Sequence, residues 1–132
     1  MSRPVAEVFA FMTDPQHQTQ WRQGVVESGQ TSEGPLGVGA AGKVVWSSMG
    51  GMASDWTCTA WEPDRRFAFR VTKPISFDAE YRYEAVSDGT RVEVEAEPRR
   101  FFRLLWPLAR RSFGKQYAID FATLKEVLEA RP

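Results

Sequence analysis

The chain has 132 residues, 42% of them hydrophobic and 13% aromatic, five tryptophans, and a formal net charge of zero at pH 7. That length and composition predict one globular domain, 1–132, with enough apolar side chain to bury a core and no overall charge to attract nucleic acid or an acidic partner. The single cysteine, Cys58, excludes an intramolecular disulfide, and no stretch is apolar enough for a signal peptide or membrane span, so the cytoplasm is the expected compartment.

Pro4 opens a helix at a first helical position, where its missing amide costs no hydrogen bond. Val5, Val8, Phe9 and Met12 recur at helical spacing as one buried stripe, and Thr13-Asp14-Pro15 ends the helix, because a residue before proline is pushed out of the helical region. A short turn leads to Trp21. Gly34-Pro35-Leu36-Gly37-Val38-Gly39, with Gly42 close behind, offers the positive-φ positions of a tight connection between strands. No lysine or serine follows at phosphate-loop spacing, so a hairpin is favoured over a nucleotide cradle.

Strands follow. Ala41 to Ser47 is one; Ser54 to Trp61 is another, with Trp56, Cys58 and Ala60 alternating against Asp55, Thr57 and Thr59. Trp61 breaks that alternation, which predicts a bulge or a strand end. Phe67, Phe69 and Val71 mark a third strand, stopped by Lys73-Pro74. Phe77, Ala79, Tyr81, Tyr83 and Ala85 then share one face, with Asp78, Glu80, Arg82 and Glu84 on the other. Asp88-Gly89 predicts a hairpin that sets Ala85 opposite Val92 and Tyr83 opposite Val94.

The last third is helical. Pro107 lacks the amide that would bond back toward Arg103, which predicts a short helix over 99–106 and a longer one from Pro107 to about Glu129. On the longer helix Phe113, Tyr117, Phe121, Leu124 and Leu128 fall within one arc, with Asp120 beside it. One helix, a run of strands and one long amphipathic helix make an α+β design, an antiparallel sheet around a C-terminal helix.

Several of these segments, in this order and spacing, resemble the helix-grip fold of the START-like polyketide cyclase and lipid-transport superfamily, also called SRPBCC. They are Phe9, Phe11, Asp14 and Pro15, then Trp21, then Gly-Pro-Leu-Gly-Val-Gly at 34–39. Next come Trp-Glu-Pro-x-Arg-Arg-Phe-Ala-Phe-Arg at 61–70, Asp-Gly-Thr-Arg-Val at 88–92 and Asp-Phe-x-x-Leu-Lys at 120–125. The resemblance covers nearly the whole chain and implies a cavity between sheet and C-terminal helix for a hydrophobic or aromatic small molecule. Two alternatives stand beside simple binding: an aromatase or cyclase acting on a polyketide-like substrate, with a tyrosine or Asp120 moving protons, and a peripheral lipid-exchange module. Members of this family usually begin with a strand before the first helix, whereas only three residues precede Pro4. Either the start has been trimmed or the sheet lacks an edge strand; if the chain begins at Met1, the strand Thr90 to Glu97 is expected to lose a neighbour, with self-association through that edge or lower stability as the consequence.

The residues themselves bound the chemistry. One histidine, His17, and one cysteine give no metal site, and no cofactor motif is present. His17 lies among glutamines and is read as an exposed loop residue rather than a general base; no Gly-x-Ser-x-Gly occurs. Asp120 is the one catalytic candidate: a carboxylate beside an apolar stripe sits either at a rim, the favoured reading, or desolvated with a raised pKa. The expected ligand-binding residues are Trp46, Trp56, Cys58, Phe69, Tyr81, Tyr83, Phe113, Tyr117 and Phe121. Residues 99–132 hold eight Lys/Arg against three Asp/Glu, and residues 1–98 nine against fourteen. The arginine-aromatic segment 99–111 would suit a membrane surface, but the favoured reading has Phe102, Leu105 and Trp106 plug the cavity end with the arginines solvated.

Overall fold

The computed structural model describes residues 1–47, 51–73, 75–99 and 102–131. Pro74, Arg100 and Phe101, expected at a strand end and in the arginine-aromatic segment, and the side chain of Phe102, lie outside the described residues.

Helix α1 spans Val5–Thr13. Pro4 is its N-cap rather than its first residue, and the Pro4 carbonyl accepts the Glu7 and Val8 amides, each at 3.1 Å. Val8, Phe9, Phe11 and Met12 are buried. Asp14 then caps a one-turn 3-10 helix, Pro15–His17, by accepting the Gln16 amide at 3.0 Å, and the chain continues into α2, Gln18–Trp21. His17 is half-buried, not exposed: its ring stacks on Phe11 with centroids 4.3 Å apart.

Six strands follow: β1 Val25–Gln30, β2 Ala41–Trp46, β3 Met52–Glu62, β4 Arg66–Lys73, β5 Phe77–Val86 and β6 Gly89–Pro98. Each pairs antiparallel with the next, so the sheet order is the chain order. β1 escapes the sequence reading because Val25-Val26-Glu27-Ser28-Gly29-Gln30 has no period-2 alternation and its register slips between Val25 and Glu27. The β1–β2 connection is the hairpin expected there, with positive φ at Gly34 and Gly39. Gly42 has another use: a Cβ there would overlap the Trp56 indole and the Gly29 carbonyl, so its absence lets the indole lie against β2.

The bulge expected near Trp61 lies between Cys58 and Ala60. It turns Trp61 toward α1, where it meets Phe9 edge-on at 5.1 Å and Phe67 at 5.8 Å. The β5–β6 register differs from expectation by two residues: Tyr83 opposes Val92 and Ala85 opposes Thr90. The turn is Ser87-Asp88, and Gly89, at φ 142°, already pairs with Val86 instead of sitting in the turn. A shift of two leaves every side chain on its face, so Phe77, Ala79, Tyr81 and Tyr83 are buried as expected. The opposite face of the sheet carries ion pairs, among them Arg70–Asp78 at 2.7 Å and Arg82–Glu95 at 2.8 Å. β6 ends the sheet, and at its first turn the Thr90 amide and carbonyl bond the Met1 carbonyl and amino group at 2.8 and 2.9 Å.

Helix α3 is continuous over Phe102–Glu129, with Pro107 inside it, which corrects the two-piece reading. Pro107 falls in the second turn, where Arg103, Leu104, Leu105 and Leu108 are all exposed, so the hydrogen bond it forfeits lies on the solvent side. Tyr117, Asp120, Leu124 and Leu128 are the buried line of α3. The helix lies in the curve of the sheet, the helix-grip arrangement the sequence predicts. Trp106 packs on Phe113 at 5.4 Å near one end, while Leu105 is exposed and plugs nothing.

Candidate functional site

Between the inner face of the sheet and the middle of α3 lies a cavity of about 320 Å3. Strand alternation and helical phase build it from opposite sides. β2 contributes Val44 and Trp46, β3 Trp56, β4 Phe67, Phe69 and Val71, and β5 Phe77 and Tyr81; α3 faces them with Phe113, Gln116 and Tyr117. The aromatic walls fix one another through edge contacts: Phe77 on Phe113 at 5.3 Å, Phe69 on Tyr81 at 5.6 Å and Tyr81 on Tyr117 at 6.1 Å.

One end of this apolar space is polar, and its centre is Arg22. Arg22 caps α2: its amide bonds the Gln18 carbonyl at 2.9 Å, and its extended backbone, φ −92° and ψ 113°, carries the chain on toward β1. Its Nε donates to Asp120 Oδ2 at 2.7 Å. Asp120 Oδ1 accepts the Gln23 amide at 2.9 Å and Gln116 Nε2 at 2.8 Å, so both carboxylate oxygens are engaged. The Arg22 Nη1 atom lies 3.5 Å from the Tyr81 hydroxyl, which is 3.4 Å from that of Tyr117. The guanidinium also lies over rings of Tyr117, Trp46 and Trp21, at 4.8, 5.2 and 5.5 Å from their centroids.

Burial and neighbouring groups shift the pKa of two members of this cluster, Arg22 and Tyr81. Burial disfavours the Arg22 charge, but Tyr117, Tyr81 and Asp120 outweigh it and raise the guanidinium pKa further above its ordinary value. Burial, reinforced by Tyr117, pushes the Tyr81 hydroxyl well up, so it is neutral across the physiological range and is no proton acceptor of tyrosinate type there. Among the described residues lining the cavity, Arg22 alone carries a formal charge.

Six of the nine expected ligand-binding residues line this cavity: Trp46, Trp56, Phe69, Tyr81, Phe113 and Tyr117. Three do not. Cys58 is buried in the core, its Sγ donating to the Ala60 carbonyl at 3.3 Å, and burial raises its thiol pKa. Tyr83 packs behind the wall against Phe9 at 5.1 Å, and Phe121 lies beside Trp21 at 6.2 Å. Asp120 is not at a rim: it is fully buried behind Arg22 and positions that side chain. Sequence reasoning missed Arg22, Gln18 and Gln116 altogether. Their only signal was a cation directly after Trp21, with its carboxylate partner on a distant helix.

Among the described residues no three His, Cys, Asp or Glu side chains cluster, and no helix is long and apolar enough to cross a membrane. None of the curated proteins matches the chain. Solved structures do. NE0264 from Nitrosomonas europaea is 17% identical with a TM-score of 0.75, over 98% of this chain and 89% of that one. MLL2253 from Mesorhizobium loti is 16% identical with a TM-score of 0.73, over 100% and 93%. The di-domain ARO/CYC BexL from the BE-7585A biosynthetic pathway is 17% identical with a TM-score of 0.77, over 98% of this chain and 44% of its own length. At such identities the likeness is one of fold. The family model for polyketide cyclase / dehydrase and lipid transport matches residues 1–129, and with nearly the whole chain matched, the protein belongs to that family.

Proposed function

We propose that this protein binds a hydrophobic or aromatic small molecule between its sheet and α3. The observation that carries the reading is an aromatic-walled space of about 320 Å3 with a few polar groups gathered at one end, the usual form of a small-molecule site. Membership of a family described by polyketide cyclisation and lipid transport supports the same ligand class. Among the described residues the lining is mainly aromatic and aliphatic, and that supports holding an apolar molecule.

Titration with the neutral dye N-phenyl-1-naphthylamine tests this. The expected result is a saturable fluorescence gain with one dye per chain, lost in a Val71→Trp variant that fills the cavity while keeping the circular dichroism of the parent. A linear, unsaturable response in the parent protein overturns the reading. Native mass spectrometry of freshly purified protein would identify any molecule it carries.

A further inference from the structure

We infer that the cavity selects hydrophobic molecules carrying a single carboxylate, and that Arg22 is the residue that receives it. This rests on the cavity being a binding site, as proposed above. Among the described residues Arg22 is the one charged side chain at the cavity wall, and only 12% of that side chain reaches solvent. A guanidinium has five N–H donors and no acceptor. Here the Nε donor is spent on Asp120, and the plane of the group is flanked by the rings of Tyr117, Trp46 and Trp21. What remains is the Nη edge. Among the described residues its sole partner is the Tyr81 hydroxyl, at 3.5 Å, the limit of a hydrogen bond.

Two features make that edge a receptor for an oxyanion rather than a structural leftover. The Nη1 and Nη2 atoms form the fork that binds a carboxylate with two parallel hydrogen bonds, the arrangement in which arginine outperforms lysine. Behind it, Asp120 is itself held by Gln23 and Gln116, so the guanidinium is fixed before a ligand arrives and little side-chain freedom is lost on binding. The Tyr81 hydroxyl donates to that of Tyr117, whose own O–H is left as a further donor beside the same oxygens. The walls of Phe69, Val71, Phe77 and Phe113 are apolar and favour an apolar body for the rest of the molecule, with Ser54 and Ser112 the hydroxyls beside them. A hydrophobic acid, head on Arg22 and tail between sheet and α3, satisfies both ends.

The test compares 2-naphthoate with the isosteric neutral 2-naphthamide on the unaltered protein by calorimetry. The acid is expected to bind at least tenfold more tightly at pH 7, the size of a charge-assisted hydrogen bond's advantage over a neutral one. That preference should vanish as pH falls through the ligand's own pKa, because the ligand then loses its charge; Asp120 is the carboxylate bonded to Arg22, and the amide measured at each pH controls for any change there. Arg22→Lys should keep part of the preference. The double variant Arg22→Gln/Asp120→Asn, which removes both buried charges and avoids stranding either, should bind acid and amide alike. Equal affinity in the parent protein, or a preference that survives the double variant, overturns the assignment while dye binding leaves the cavity reading intact. Failure of N-phenyl-1-naphthylamine to bind overturns the cavity reading itself.

Discussion

Arg22 and Asp120 stand 98 residues apart in the chain and 2.7 Å apart in space, tying the turn after α2 to the middle of α3. Asp120→Ala would leave a buried guanidinium without its counter-charge, and breaking one side of a buried pair costs about 3–5 kcal/mol. Urea unfolding is the measurement, with the loss expected in the midpoint rather than the slope. Asp120→Asn, which keeps an acceptor for Arg22, should lose less. A loss below about 1 kcal/mol for the alanine variant would show that water reaches the pair freely.

Burial raises the pKa of both Tyr81 and Tyr83 above the ordinary value near 10. In the unfolded chain both ionise near pH 10, whereas in the folded protein they cannot, so the unfolded state binds fewer protons there. The stability these hydroxyls confer is complete below pH 10 and falls as pH rises beyond it, by about 1.4 kcal/mol per pH unit for each tyrosine. Urea midpoints from pH 8 to 11 check this. Tyr83→Phe is the sharper experiment, because the Tyr83 hydroxyl is buried without a partner among the described residues. Its removal should cost less than about 0.5 kcal/mol at pH 7 and flatten the alkaline decline.

Leu124 and Leu128 are fully buried, while Leu104 and Leu108 on the same helix are each 80% exposed. Thermal melts should separate the pairs: Leu124→Ala or Leu128→Ala loses about 2–5 kcal/mol, and Leu104→Ala or Leu108→Ala stays within about 0.5 kcal/mol of the parent.

The β6 edge gives a residue-by-residue expectation for amide exchange. Thr90 bonds Met1 with both backbone groups, so by strand parity Val92, Val94 and Ala96 also turn theirs away from β5. Thr90 should be protected and the amides of Val92 and Val94 should exchange fast. Protection of those two that grows with protein concentration would put a second copy on this edge.

What the sequence made legible follows from which interactions are periodic. Tyr81 and Tyr117 meet because a period of two and a period of 3.6 each reveal a face without knowledge of the other. The same periodicity survived the two-residue error at Ser87-Asp88, since a shift of two preserves the face. β1 had no alternation to read. Pro107 looked like a break because solvent exposure of its lost hydrogen bond is a property of the folded helix, not of the residue. Arg22 was illegible for a different reason: its role depends on a single long-range contact, and nothing in Trp21-Arg22-Gln23 distinguishes a solvated cation from one aimed into a cavity. Cys58, Tyr83 and Phe121 share the inward-facing character of the lining residues, yet each packs into the core beside the space, Phe121 behind the rings of Tyr81 and Tyr117.

Gly42 illustrates how far control of such a space extends. The missing side chain lets the Trp56 indole settle against β2, and Trp56 is one wall of the cavity. Adding a methyl group there would displace the indole, so the position governs the width of the cavity while remaining outside the lining. The shape of the cavity is then adjustable from behind its wall, by a substitution at a residue that does not line it.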